Sequence, residues 1–134
     1  MQTAKKIIIA AAIAATVFAF PHKAYSADEG SIEYYKDNMP VSERVVFGGE
    51  LNIEQKAYIL LSVLIYNKAE NIPEGAYVKR VFFDRGELFV WLSDAAVSLG
   101  GEYENSLLTE QITKTACSLT GVKSIIIVID ENFD

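Results

Sequence analysis

The sequence predicts an α+β fold, a two-layer sandwich with two helices on one face of a small mixed sheet, in the order β-α-β-β-α-β. Three observations predict it. Two stretches, Asn52 to about Lys68 and about Tyr103 to Leu119, carry apolar residues at helical spacing. Two β-rich runs, Tyr77 to Phe83 and Glu87 to Ser93, meet at Asp84-Arg85-Gly86, which reads as a hairpin. The run GVKSIIIVID, Gly121 to Asp130, is apolar at both parities of a strand, so both of its faces want cover. Helices gathered on one side of such a sheet give the two layers.

The chain opens with a basic start, Lys5 and Lys6, followed by Ile7 to Phe20 without a charge, then Pro21 and the small-residue pattern Ala24-Tyr25-Ser26 before Ala27. That order is a secretory signal peptide, and the apolar stretch is short for a bilayer span. Residues 1–26 are therefore expected to be a leader, 27–50 an N-terminal spacer and extended segment, and 51–134 the α+β domain. The 134-residue chain carries a net charge of −6, and loss of Lys5, Lys6 and Lys23 with the leader makes it more acidic. An acidic surface repels phosphate backbones and anionic lipid, so neither nucleic acid nor a membrane contact beyond the leader is expected.

After Asp28 to Ser31, Ile32 to Tyr35 reads as a short strand and Asp37 to Pro40 as a turn. Val41 to Phe47 reads as extended chain closing at Gly48-Gly49. Asn52 is placed to cap the first helix, with Glu54 in its first turn. Ile53, Ala57, Leu60 and Leu64 form the stripe that packs on the sheet, while Ile59, Val63 and Tyr66 form a second stripe well round the helix. On the second hairpin strand Leu88, Val90 and Leu92 point one way, Phe89 and Trp91 the other. The second helix carries the stripe Leu108, Ile112, Ala116 and Leu119, and Gly121 is placed to stop it.

The one histidine, His22, lies in the leader, which leaves the remaining chain without a Ser-His-Asp triad, a Cys-His pair or a His-ligated zinc site. Cys117 stands alone, so no internal disulfide forms, and its place on the helix reads as a half-buried small residue. Asp130, Glu131, Asn132 and Asp134 offer oxygen ligands but lack the spacing of an EF-hand loop and read as a solvated acidic tail. Glu102 and Glu104 fit the dipole of the second helix. No catalytic residue, cofactor or metal is expected.

The stretches IPEGAYVKRVFFDRGELFVWLS, Ile72 to Ser93, and QITKTACSLTGVKSIIIVID, Gln111 to Asp130, resemble the GerMN domain, the sporulation and spore germination domain. The features that carry the resemblance are Ile-Pro-x-Gly ahead of the hairpin, the Asp-x-Gly turn, the Val-x-Leu-Ser exit, Gln-Ile on the second helix and Gly-Val-Lys leading to Ile-x-Ile-Asp. Trp91 and Thr120 depart from that pattern, standing where an acidic residue and a proline are frequent. The resemblance implies an exported envelope protein without enzymatic activity, with a fold similar to the ring-building domains of sporulation channels, which assemble side by side.

Helices cover one face of a sheet, so Phe89 and Trp91 need another partner. Either the segment Ile32 to Phe47 folds across that far face, or the face binds protein. The expected function is that of an exported, non-enzymatic domain of the periplasmic or extracytoplasmic cell envelope that mediates protein-protein assembly or self-assembly. Phe89, Trp91, Ile59, Val63 and Tyr66 are the candidate partner surface. The alternative is a small-ligand binding module using apolar space between the hairpin and the N-terminal segment. Mass spectrometry of the exported protein is expected to find a chain starting at Ala27, cut after Ser26; a full-length mass would show that the leader is kept as an anchor.

Overall fold

The structure, a computed structural model, describes residues 6–12, 28–96 and 102–130, with side chains described over 28–96 and 106–129. The cleavage-site residues Ala24 and Ser26, the acidic-tail residues Glu131, Asn132 and Asp134, and the side chains of Glu102, Glu104 and Asp130 lie outside what is described.

Strand β1 (Lys6–Ala12) is followed by a hairpin of β2 (Glu29–Lys36) and β3 (Met39–Val46), then helix α1 (Ile53–Val63), hairpin β4 (Val78–Asp84) and β5 (Glu87–Leu92), helix α2 (Glu102–Cys117) and β6 (Ser124–Asp130). The main sheet has the order β1-β6-β5-β4 and is mixed: β5 and β6 run parallel, joined through α2, while β4 with β5 and β1 with β6 are antiparallel. The architecture is α+β with two helices, as the periodicities predict, and β2 with β3 adds a second, two-stranded sheet.

Local chemistry accounts for each boundary. The Asn52 side chain accepts from the Gln55 N–H at 2.8 Å and Gln55 returns the bond to the Asn52 N–H at 2.9 Å, a reciprocal cap that starts α1. The helix ends in a π-helical turn, Leu64–Lys68, closed by the Ala69 N–H on the Leu64 carbonyl at 2.8 Å. Arg85 and Gly86 both have positive φ in the β4–β5 turn, and Asp37 and Asn38 do the same between β2 and β3. Two-residue turns of that hand match strand twist, so the expected four-residue turn at Asp37 to Pro40 is a tight hairpin, with Met39 and Pro40 already in β3. Gly121, at φ +99°, follows α2 as expected.

The core lies between the main sheet and the helices. Leu88, Val90, Leu92, Ile125, Ile127 and Ile129 line the sheet side. Ala57, Leu60 and Leu64 come from the predicted α1 stripe, and Leu108, Ile112, Ala116 and Leu119 from the predicted second-helix stripe, all buried.

Strand β2 lies in the groove between the helices rather than on the far side of the sheet. A Cβ at Gly30 would sit 2.8 Å from Leu60 Cδ1 on α1 and 3.0 Å from Leu119 Cδ2 just past α2, so a larger residue there would make those leucine side chains shift. Ile32 joins the core. The edge of β2 turned to α2 is hydrogen-bonded by side chains: the N–H groups of Tyr35, Glu33 and Ser31 donate to Gln111 Oε1 at 3.0 Å, Thr115 Oγ1 at 2.9 Å and Ser118 Oγ at 2.8 Å. Alternate residues of a strand advance nearly 7 Å and positions four apart on a helix about 6 Å, so the two periods run in step over this short length. The first alternative, that Ile32 to Phe47 folds across Phe89 and Trp91, is therefore corrected. The buried edge of β2 finds its hydrogen bonds on α2, and that holds the hairpin on the helix side.

Thr115 is fully buried. Thr115→Val keeps its shape but leaves the Glu33 N–H without its partner, and urea unfolding is expected to show a loss of about 1–3 kcal/mol. An unchanged midpoint would mean that the Glu33 N–H finds another acceptor.

Candidate functional site

The far face of the main sheet is built in rows across the strands. Phe82 of β4 stands opposite Phe89 of β5, which stands beside Ile126 of β6; one row along, Arg80 stands opposite Trp91, which stands beside Val128. A register shift between Val78 and Arg80 is what brings Arg80 to this face while Val78 remains in the core. The rings of Phe82 and Phe89 lie 6.0 Å apart and those of Phe89 and Trp91 6.2 Å apart, within the range of favourable aromatic contact. The Arg80 guanidinium sits 4.6 Å over the Trp91 ring.

Phe89, Trp91 and Ile126 are half-buried, and Phe82 keeps 43% of its surface exposed. Val128 is buried but stands outside the core cluster. Phe82 is the member that the sequence reading left out of its candidate surface. The signal for it was present: in a tight hairpin through Arg85-Gly86 the residues at equal distance from the turn face each other, and Phe82 and Phe89 are such a pair.

The five candidate residues do not form one surface. Phe89 and Trp91 lie on the far face of the sheet, whereas Ile59, Val63 and Tyr66 belong to the α1 segment, which packs on the other face. Of these three, Ile59 is 40% exposed, Val63 is half-buried against the core, and Tyr66, in the π-helical turn, is 67% exposed. Tyr66 and Tyr77 border an open depression of about 520 Å³ with Ile65, Ile72 and Pro73 in its lining. That depression lies between the end of α1 and the loop leading to β4.

The family model Germane, described as sporulation and spore germination, matches residues 23–133, from the predicted leader to the last residues of the chain. The chain belongs to the Germane family. No curated protein and no solved structure matches it significantly. The Germane match takes in the β2–β3 hairpin, both helices and strands β4, β5 and β6 of the main sheet, so the aromatic far face and the polar seam between β2 and α2 both lie within a domain related to sporulation and spore germination.

Among the described residues of this Germane domain, no group of three His, Cys, Asp or Glu side chains is placed to hold a metal ion, and no helix is long and apolar enough to cross a membrane. Glu43 accepts a hydrogen bond from the Tyr34 hydroxyl at 2.6 Å and pairs with Lys68 at 3.1 Å, tying the β2–β3 hairpin to the end of α1. The bond from Tyr34, with help from Lys68, holds the Glu43 carboxyl below its ordinary range. Cys117 is half-buried, as expected, with its thiol directed at the Thr113 carbonyl, and burial pushes that thiol up to about 12.

The thiolate is the reactive form, so Cys117 is inert in the folded protein at neutral pH. Iodoacetamide at pH 8 is expected to label native protein slowly and urea-unfolded protein fast. The folded thiol ionises at higher pH than the unfolded one, whose ordinary value is 9.0, so this group favours the unfolded state increasingly between pH 9.0 and about 12. Replacing Cys117 with Ala is expected to remove that part of the alkaline destabilisation in pH-dependent melts.

Proposed function

We propose that this Germane-family chain is an exported, non-enzymatic domain of the cell envelope that associates with protein through the far face of its main sheet. The observation that carries this reading is the aromatic row Phe82, Phe89 and Trp91, which remains partly in water on a face that the helices do not cover. Scattered exposed apolar residues are ordinary on protein surfaces, but three adjacent rings flanked by Ile126 form a contiguous patch, the kind of surface that marks an interaction site. Arg80, held over Trp91, gives the patch a cationic rim that suits a partner with acidic groups around an apolar centre. The leader pattern before Ala27 supports placement outside the cytoplasm. The absence of histidine after His22 and the inert thiol of Cys117 support a binding role over catalysis.

Charge substitutions on the two faces of β5 are expected to act differently. Trp91→Glu leaves the carboxylate on the far face, so it is expected to spare the melting of the isolated domain and abolish its capture of envelope protein in a pull-down. Val90→Glu puts the charge into the fully buried core and is expected to cost about 2–5 kcal/mol or to prevent folding. If Trp91→Glu unfolds the domain as Val90→Glu does, the far face is core and the binding reading falls.

A further inference from the structure

We propose that the outer edge of β6 is an assembly edge: Lys6–Ala12 closes it in the full chain, and after leader removal the β6 of a second copy closes it. The proposal rests on the reading of residues 1–26 as a cleaved leader. β1 pairs with β6 over seven residues, from Lys6 opposite Asp130 to Ala12 opposite Ser124, and a cut after Ser26 takes this whole strand away.

The other described edges carry their own protection. β2 is bonded by Gln111, Thr115 and Ser118 of α2. On β4 the Phe83 N–H donates to Glu54 of α1 at 2.8 Å, and the register shift beside Val78 interrupts the strand. β3 carries Pro40, Glu43 and Arg44, and proline and charge are devices that discourage a further strand. Between Ser124 and Asp130, β6 has none of these. Ile125 to Ile129 are five consecutive β-branched apolar residues without a charge, a proline or a glycine. Such a segment favours pairing, and among the described residues its edge is closed by the strand that the cut removes.

The pairing with β1 also shows what this edge accepts, an antiparallel strand. Two copies of β6 related by a two-fold axis are antiparallel by symmetry. Residues opposite each other share a face, so odd positions must meet odd ones. A register centred on Ile127 sets Ile125 against Ile129 and Ile126 against Val128, apolar against apolar throughout. The two sheets become one, with the Phe89–Trp91 faces of both copies on the same side.

The core cluster of the described side chains, from Ile32 to Ile129, lies wholly within the chain from Ala27. The test compares residues 1–134 with residues 27–134 by light scattering, each in a Cys117→Ala background. It adds Ile126→Cys and Val128→Cys variants of 27–134, oxidised separately and mixed. Expected are a monomer for the full chain and a dimer for 27–134, with a disulfide only in the mixture, because opposite residues lie within disulfide reach and diagonal ones beyond it. A peptide of residues 1–12 is expected to return the dimer to monomer.

A monomeric 27–134, a dimer at both lengths, or a chain from Ala27 that does not fold overturns the proposal. A dimer of 27–134 that gives no mixed disulfide and is dissolved by Trp91→Glu also overturns it, and places the contact on the far face instead. A mixed disulfide that persists in Trp91→Glu supports the edge and leaves the far face to a different protein. A full-length exported protein removes the cleavage step and with it this proposal's switch.

Discussion

The fold depends on one constraint, that the backbone edge of β2 is buried against a helix and must still make its hydrogen bonds. An unpaired N–H in such a place costs about 1–3 kcal/mol, so three in succession would outweigh much of a small domain's stability. Helix α2 meets the requirement with Gln111, Thr115 and Ser118, whose oxygens follow the alternate N–H groups of Tyr35, Glu33 and Ser31. Several features follow from this seam. At Gly30 the side chains of Leu60 and Leu119 close on the strand. Gln111 and Thr115 are polar and yet buried, and Ile32 enters the core from a strand outside the main sheet. With the hairpin committed to the helices, it is unavailable for the other face of the sheet.

Hydrophobic period made most of the fold legible. The stripes Ala57, Leu60, Leu64 and Leu108, Ile112, Ala116, Leu119 are buried where the sequence puts them, and the parity of Leu88, Val90 and Leu92 against Phe89 and Trp91 holds in the sheet. The seam was hidden because a polar stripe reads by default as a solvent face. Gln111, Thr115 and Ser118 at intervals of four and three are indistinguishable, in one dimension, from residues that bond to water. The tight turn at Asp37-Asn38 was hidden for a related reason. Proline at position 40 suggests a loop, yet an edge strand tolerates it when its missing N–H would have faced solvent.

The candidate surface shows a different limit. Parity along a strand separates two faces, and a helical wheel separates two stripes, but neither relates a strand face to a helix stripe. Ile59, Val63 and Tyr66 were grouped with Phe89 and Trp91 because all five were surplus to the core. Surplus on α1 lies on the helix side and surplus on β5 on the opposite side of the sheet, so their shared apolar character carries no shared location. What joins residues in space here is register: Phe82 belongs with Phe89 because the Arg85-Gly86 turn sets them opposite each other.

The far face and the edge of β6 meet in one strand, and they ask different things of it. A contact on the far face uses side chains, Phe82, Phe89, Trp91 and Ile126, and is sensitive to a single charge. A contact along the edge uses main-chain donors and acceptors, with side chains serving only to fix the register, and a single charge on the far face leaves most of it intact. The two therefore do not compete for the same groups. Pairing along the edge would leave both aromatic rows in place and set them side by side, enlarging the apolar patch that each copy presents. The double apolar parity of Ile125 to Ile129 then has a physical reason. Ile125, Ile127 and Ile129 fill the core, while Ile126 and Val128 continue the aromatic rows from β5 onto β6.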